Sequence, residues 1–203
     1  MTEIRNAVRS DAPRLLEIYG WYVRHTAITF EYDVPTLEDF QGRMEGVMAH
    51  WPWLVILRDG AVEGYAYAGP FHSRAAYGWC CELSVYLDPA ERGKGLGRAL
   101  YEALEAALGR MGLCNLYACI ALPEQEDEYL SRASVDFHAR MGYHTVGTFR
   151  SCGYKFSRWY HMVWMEKVIG AHRPEMPPVR PWPALSPREG WRDCPPRPFW
   201  NKS

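Results

Sequence analysis

The sequence predicts an α/β fold, a mixed sheet carrying helices on its faces. Three observations lead there. Period-two apolar runs alternate with period-3.6 runs in the order β-α-α-β-β-β-α-β-α-β-β. A D-G dipeptide at Asp59–Gly60 joins two strand-like runs as a hairpin. Leu96, Leu100, Leu104 and Leu108 form a helical core stripe directly after a strand and a glycine loop.

Each element has its own justification. A short strand is expected around Glu3–Val8. Ser10 or Asp11 caps the next helix, Pro13 is tolerated in its first turn, and Leu15, Leu16, Ile18, Tyr19 and Tyr22 carry it to about His25. Thr36 with Asp39 resembles a capping box for a helix near 37–49. The hairpin "WLVILRDGAVEGYAYAG" follows, then the strand "CCELSVYL", with Glu82, Ser84 and Tyr86 on one face and Leu83, Val85 and Leu87 on the other. After the glycine loop and its helix come the buried strand "LCNLYACIAL", an acidic stretch, a helix near 132–141 stopped by Gly142, and strands near 143–151 and 159–168. Beyond Gly170 the composition turns to proline and tryptophan, which predicts an extended proline-rich C-terminal tail over 171–203 after a domain of residues 1–170. Trp182, Trp191 and Trp200 imply that this tail packs on its own domain or on a neighbouring subunit.

Composition narrows the function. The chain has 203 residues, enough for one real core, and a formal net charge of -1. Nucleic-acid binding needs a clustered basic surplus, so it is not expected. No apolar run approaches the roughly 20 residues of a membrane span. The polar N-terminus "MTEIRNAVRSD" does not read as a signal peptide. The six cysteines show no zinc-type spacing and no metal is expected; they read as small, mostly buried residues of a reduced cytoplasmic protein.

The stretch "ERGKGLGRAL" carries the first chemistry. A strand end, a glycine loop and a helix start expose unpaired N–H groups within a favourable dipole. Arg92, Lys94 and Arg98 add full charges. The physical expectation is a phosphate or pyrophosphate site. The G-x-x-x-x-G-K-S/T loop is absent, and Gly93, Gly95 and Gly97 alternate strictly, unlike G-x-G-x-x-G.

"R-G-K-G-L-G", placed between a strand and a helix, resembles the acetyl-CoA pyrophosphate loop of the GNAT acetyltransferases. The resemblance implies a GNAT-like mixed, mostly antiparallel sheet flanked by helices. It implies that Arg92, Gly93, Lys94, Gly95, Leu96, Gly97 and Arg98 hold the pyrophosphate. It also implies that the strand edge at Val85, Tyr86 and Leu87 pairs with the pantetheine arm as an added strand does. The blocks "YAYAGPFHSRAAYGWCCELSVYL", "SVDFHARMGY" and "CGYKFSRWYHMVWMEK" further resemble the phosphinothricin/methionine sulfoximine N-acetyltransferase branch. That branch implies Glu82 as the carboxylate that deprotonates the amine. It implies His138 as acid, base or substrate partner, and Phe30, His72, Arg74 and Tyr77 on the substrate side. Ser134 would touch CoA, Lys155, Trp159 and Tyr160 fall in a matching block, and the family implies a homodimer.

Three departures fall on the amine side: His72 where lysine is usual, His161 where aspartate is common, and the longer acidic loop "PEQEDEYLSRAS". The expected reaction is acetyl transfer from acetyl-CoA to the primary amine of a small amino-acid-like acceptor. Two alternatives stand beside it. One is another amine: a polyamine, to which the acidic stretch would be suited, an antibiotic or a peptide N-terminus. The other is a CoA-binding sensor without turnover.

Overall fold

The computed structural model describes residues 2–185. Seven strands form one open mixed sheet in the order β1-β2-β3-β4-β5-β7-β6. They are β1 (Thr2–Asn6), β2 (Trp53–Arg58), β3 (Ala61–Pro70), β4 (Cys80–Leu87), β5 (Asn115–Leu122), β6 (His144–Lys155) and β7 (Arg158–Val168). The β4–β5 junction is parallel and the others are antiparallel. The helices are α1 (Ala12–His25), α2 (Leu37–Met48), α3 (Leu96–Met111), α4 (Ala133–Arg140) and the short α5 (Trp182–Leu185).

Strand alternation divides the core. Val55 and Tyr65 turn one way, towards Leu15, Ile18 and Met44 of α1 and α2. Ile56, Ala66 and Leu83 turn the other way, towards Leu100, Leu104 and Leu108 of α3, all three fully buried. Thr36 accepts from the Asp39 N–H at 3.1 Å and so caps α2. Asp11 does not cap α1 with its side chain; its carboxylate takes the Val8 N–H at 2.8 Å and both Arg5 guanidinium nitrogens. The Asp59–Gly60 turn has φ of 50° and 86°, the left-handed pair that a two-residue hairpin requires.

The last hairpin is longer than expected. β6 runs to Lys155 and turns through Phe156 and Ser157, with φ of 52° and 60°. Neither residue is the usual choice for that conformation, so the sequence hides the turn.

The expected fold class needs correction at the C-terminus, because no free extended proline-rich tail leaves the sheet among the described residues. Ile169 and Gly170 donate to the Cys114 carbonyl. The chain then runs under α3, where the Arg180 N–H reaches the Met111 carbonyl at 2.9 Å. Trp182, 6% exposed, begins α5; its backbone N–H meets the His50 carbonyl and its indole N–H the Asn6 side chain at 2.9 Å. Proline discourages regular structure but does not stop a tryptophan from burying its ring, and that ring wins here. Trp191 and Trp200 lie outside the described residues.

Candidate active site

β4 and β5 stay paired for three residues, Cys80, Cys81 and Glu82 against Asn115, Leu116 and Tyr117, and then part. β4 continues along β3 and β5 along β7. The Asp88 N–H points to β3, so alternation turns the backbone groups of Leu87 and Val85 into the gap. The Tyr22 hydroxyl fills the far end, donating to the Leu87 carbonyl at 2.8 Å.

The gap opens onto a cleft of about 490 Å³ lined by Val85, Leu87, Gly93, Gly95, Ser134 and Phe137. Gly93 and Gly95 have φ of 76° and 84°, and a Cβ on either would meet nothing within 4 Å. Gly95 is the N-cap of α3, so the first N–H groups of that helix face an unobstructed backbone concavity. Gly97 lies inside α3 against Leu87 and Phe137, and the Leu96 side chain belongs to the core. Arg92 lies over the Trp21 and Tyr22 rings and donates to the Tyr22 hydroxyl at 3.2 Å. Lys94 pairs with Glu91 and Arg98 with Glu102, so both cations are exposed but already neutralised. This concavity fits a pyrophosphate-bearing group.

At the inner end a pit of about 60 Å³ is lined by Val85, Tyr101, Cys119, Ser134 and His138. His138 is 3% exposed. Its Nδ1 lies 2.7 Å from the Ser134 carbonyl, which can only accept, so Nδ1 carries the proton. Nε2 therefore accepts from the Tyr101 hydroxyl at 2.8 Å. Burial pushes the His138 pKa down to about 4, so the ring is neutral near pH 7. Tyr101 escapes a sequence reading, because a tyrosine between Leu100 and Leu104 reads as core.

That shift has a sign. Between pH 6.5 and about 4 an unfolded His138 binds a proton and the folded one does not. Stability should therefore fall as pH drops through this window, by up to about 3 kcal/mol from this group. Urea unfolding across the window should show a shallower slope for His138→Gln; an unchanged slope would contradict the assignment.

Glu82 stands where the strands part, in register with Gly69 on β3 and Tyr117 on β5. Burial raises its pKa above the usual carboxylate value. Its charge is felt at Tyr101 and at Cys119. Cys119 and Cys152 are exposed, against the expectation of buried cysteines, because the missing β4–β5 pairing uncovers the first and an irregular part of β6 carries the second. The Cys119 side chain opens on the pit, yet the atoms around its sulfur push the thiol up to about 12. It carries no thiolate near neutrality and makes a poor nucleophile.

The β3–β4 loop borders this face. Phe71 stacks on Tyr117 at 4.2 Å and meets Trp164 edge-on at 5.4 Å. Tyr77 packs on Phe71 and on His72. His72 and Tyr77 also line a separate groove of about 310 Å³ with Val179 and Pro181, on the α3 side. Arg74 is exposed and makes no ion pair among the described residues. Phe30 lies against the Gly153 backbone so closely that a Cβ there would come within 2.3 Å of its ring. Lys155, 2% exposed, donates to the Thr26 and Thr29 carbonyls and so holds the α1–α2 connection. Trp159 is exposed, and Tyr160 donates to Asp127.

The acidic loop is largely spoken for. Asp127 and Glu128 pair with Arg158, and the Asp127 carboxylate accepts two backbone N–H groups. Glu126 accepts from the Arg132 N–H.

A model of the acetyltransferase (GNAT) domain matches residues 4–164. The chain belongs to the GNAT acetyltransferase family. This GNAT enzyme is 32% identical over 179 residues to the phosphinothricin N-acetyltransferase of Streptomyces viridochromogenes, covering 88% of this chain and 93% of that protein. Among solved structures it superposes with TM-score 0.79 on a phosphinothricin acetyltransferase from Sinorhizobium meliloti in complex with acetyl-CoA, at 29% identity, covering 89% of this chain and 98% of the other. A ribosomal-protein-alanine N-acetyltransferase from Brucella melitensis superposes at 0.76 with 32% identity, over 82% and 99% of the two chains. The GNAT enzyme uses acetyl-CoA and acts on a small amine. No helix among its described residues is long and apolar enough to cross a membrane.

Proposed function

We propose that this acetyltransferase acts on the α-amine of a small amino-acid-like acceptor bearing an anionic side group, of the phosphinothricin or methionine sulfoximine type. The observation that carries the choice is a contrast of charges. Arg74, on the loop bordering the Glu82 face, makes no ion pair among the described residues, whereas Asp127 and Glu128 are already paired with Arg158. The loop therefore offers a cation without an ion pair, while Asp127 and Glu128 are already paired within the chain, which favours an anionic acceptor over a polyamine.

Acetyl-CoA supplies an activated acetyl thioester. The loop N–H groups from Gly93 to Arg98 hold its pyrophosphate, with Ser134 across the cleft. Glu82, whose raised pKa suits a base, takes a proton from the acceptor ammonium. The neutral amine then attacks in a ternary complex, and its second proton leaves with the departing thiol. The Val85 N–H, turned into the gap, polarises the carbonyl. His138, neutral and accepting, holds the Tyr101 hydroxyl at the floor of the pit; as the C–N bond forms and the C–S bond breaks, the departing thiolate takes the proton that the amine nitrogen loses. Two copies are proposed to associate through the β6 edge, where Val146 and Phe149 are 56% and 55% exposed.

Thiol release from acetyl-CoA with an amine panel tests the reading. Methionine sulfoximine or phosphinothricin should accelerate release, and spermidine should not. An N-terminal alanine peptide as the best acceptor would overturn the substrate class. Binding of acetyl-CoA without release for any amine would favour a sensor.

A further inference from the structure

The β3–β4 loop is braced from behind by the C-terminal segment. The Trp79 indole N–H donates to the Pro177 carbonyl at 2.9 Å. Val179 and Pro181 face His72, Tyr77 and Gly78 across the 310 Å³ groove. The segment is itself pinned at both ends. His172 contacts the Asn115 side chain at 2.6 Å, and Trp182 is locked between Asn6 and His50 with the Arg110 guanidinium 5.4 Å over its ring. Beyond one 3₁₀ turn at Ala75–Tyr77, the loop has little regular structure of its own: its internal backbone bonds are Tyr77 N–H to the Arg74 carbonyl and Gly78 N–H to the Ala75 carbonyl. An exposed loop with two such bonds samples many conformations unless something else restrains it. The matched acetyltransferase domain ends at residue 164, so this brace lies outside it.

We propose that residues 171–185 are a positioning strap that sets the β3–β4 loop for the amine acceptor, with Trp79 as the coupling residue and Trp182 as the anchor. The strap acts on the acceptor side alone. None of its residues lines the donor cleft between the glycine loop and α4. The chain Trp182–Pro181–Val179–Pro177–Trp79 is continuous, and Trp79 immediately precedes β4, on which Glu82 lies three residues further along. The loop's near end, Phe71, rests on Tyr117 beside Glu82. Loosening the strap therefore blurs the acceptor wall while leaving the donor cleft intact. This function rests on the reading of that face as the acceptor side; the mechanical grip does not.

Trp79→Phe keeps an aromatic ring but removes the donor to Pro177, and Trp182→Ala removes the anchor. Amide hydrogen exchange on the full chain reads the grip without any amine. Exchange over 72–79 should rise about five- to tenfold in Trp79→Phe, the loss of one hydrogen bond, and over 93–98 it should not change. With the best acceptor of the wild-type enzyme, the amine KM should rise by a similar factor at unchanged acetyl-CoA affinity. Trp182→Ala should do both more strongly; should it fail to fold, Trp79→Phe alone decides. Unchanged exchange over 72–79 overturns the strap. Faster exchange with an unchanged amine KM overturns its positioning role. A wild-type enzyme that turns over only acceptors lacking an anionic group counts against the substrate class and leaves both readouts usable.

Discussion

Glu82→Gln is expected to lower turnover by about 10²- to 10⁴-fold and to leave acetyl-CoA affinity within about twofold. Glutamine keeps the size and the hydrogen-bonding reach of the side chain but cannot take a proton. Glu82 lies at the end of the paired part of β4, on the face opposite Val85 and Leu87, so its loss leaves the donor cleft unaltered. The pH profile should change with it. Burial lifts the Glu82 pKa, and the wild-type rate should rise with pH as this carboxyl ionises. That limb should vanish in the variant, while a limb from deprotonation of the amine itself persists. Equal losses in turnover and in acetyl-CoA affinity would refute a role as base.

Gly95→Val should do the reverse. Space is not the difficulty, since a Cβ at Gly95 meets nothing within 4 Å. The difficulty is φ of 84°, a left-handed conformation that a β-branched residue adopts only at a cost of about 1–3 kcal/mol. The loop would relax away from the start of α3, and the N–H groups there would lose their common focus. Acetyl-CoA affinity should fall by about ten- to hundredfold by calorimetry, with turnover at saturating acetyl-CoA much less affected. Unchanged affinity would remove the glycine loop from the donor site.

The sequence was most legible where a single residue type is physically required. Glycines at 93 and 95 sit at positive φ, Asp59–Gly60 makes its turn, and the leucine stripe of α3 is buried as its spacing demands. Legibility failed where the outcome depends on what lies across space. Tyr101 becomes part of the site only because His138, 37 residues away, comes to its hydroxyl. Cys119 is exposed because two strands part beside it, and strand patterning carries no trace of that. The acidic stretch suggested a cation partner in the substrate, and nothing in the sequence signals that two of its acids, Asp127 and Glu128, have a partner within the chain in Arg158. The C-terminal prolines suggested an extended chain, but Trp182 finds a buried seat under α3.

The parting of β4 and β5 has a geometric consequence. The sheet is forked there, with three residue pairs at the vertex and the two strands as its arms. Glu82 occupies the vertex; Leu87 and the glycine loop lie towards the open end. The proposed base therefore sits at the narrow, strand-paired end of the wedge, and the proposed donor enters at its wide end.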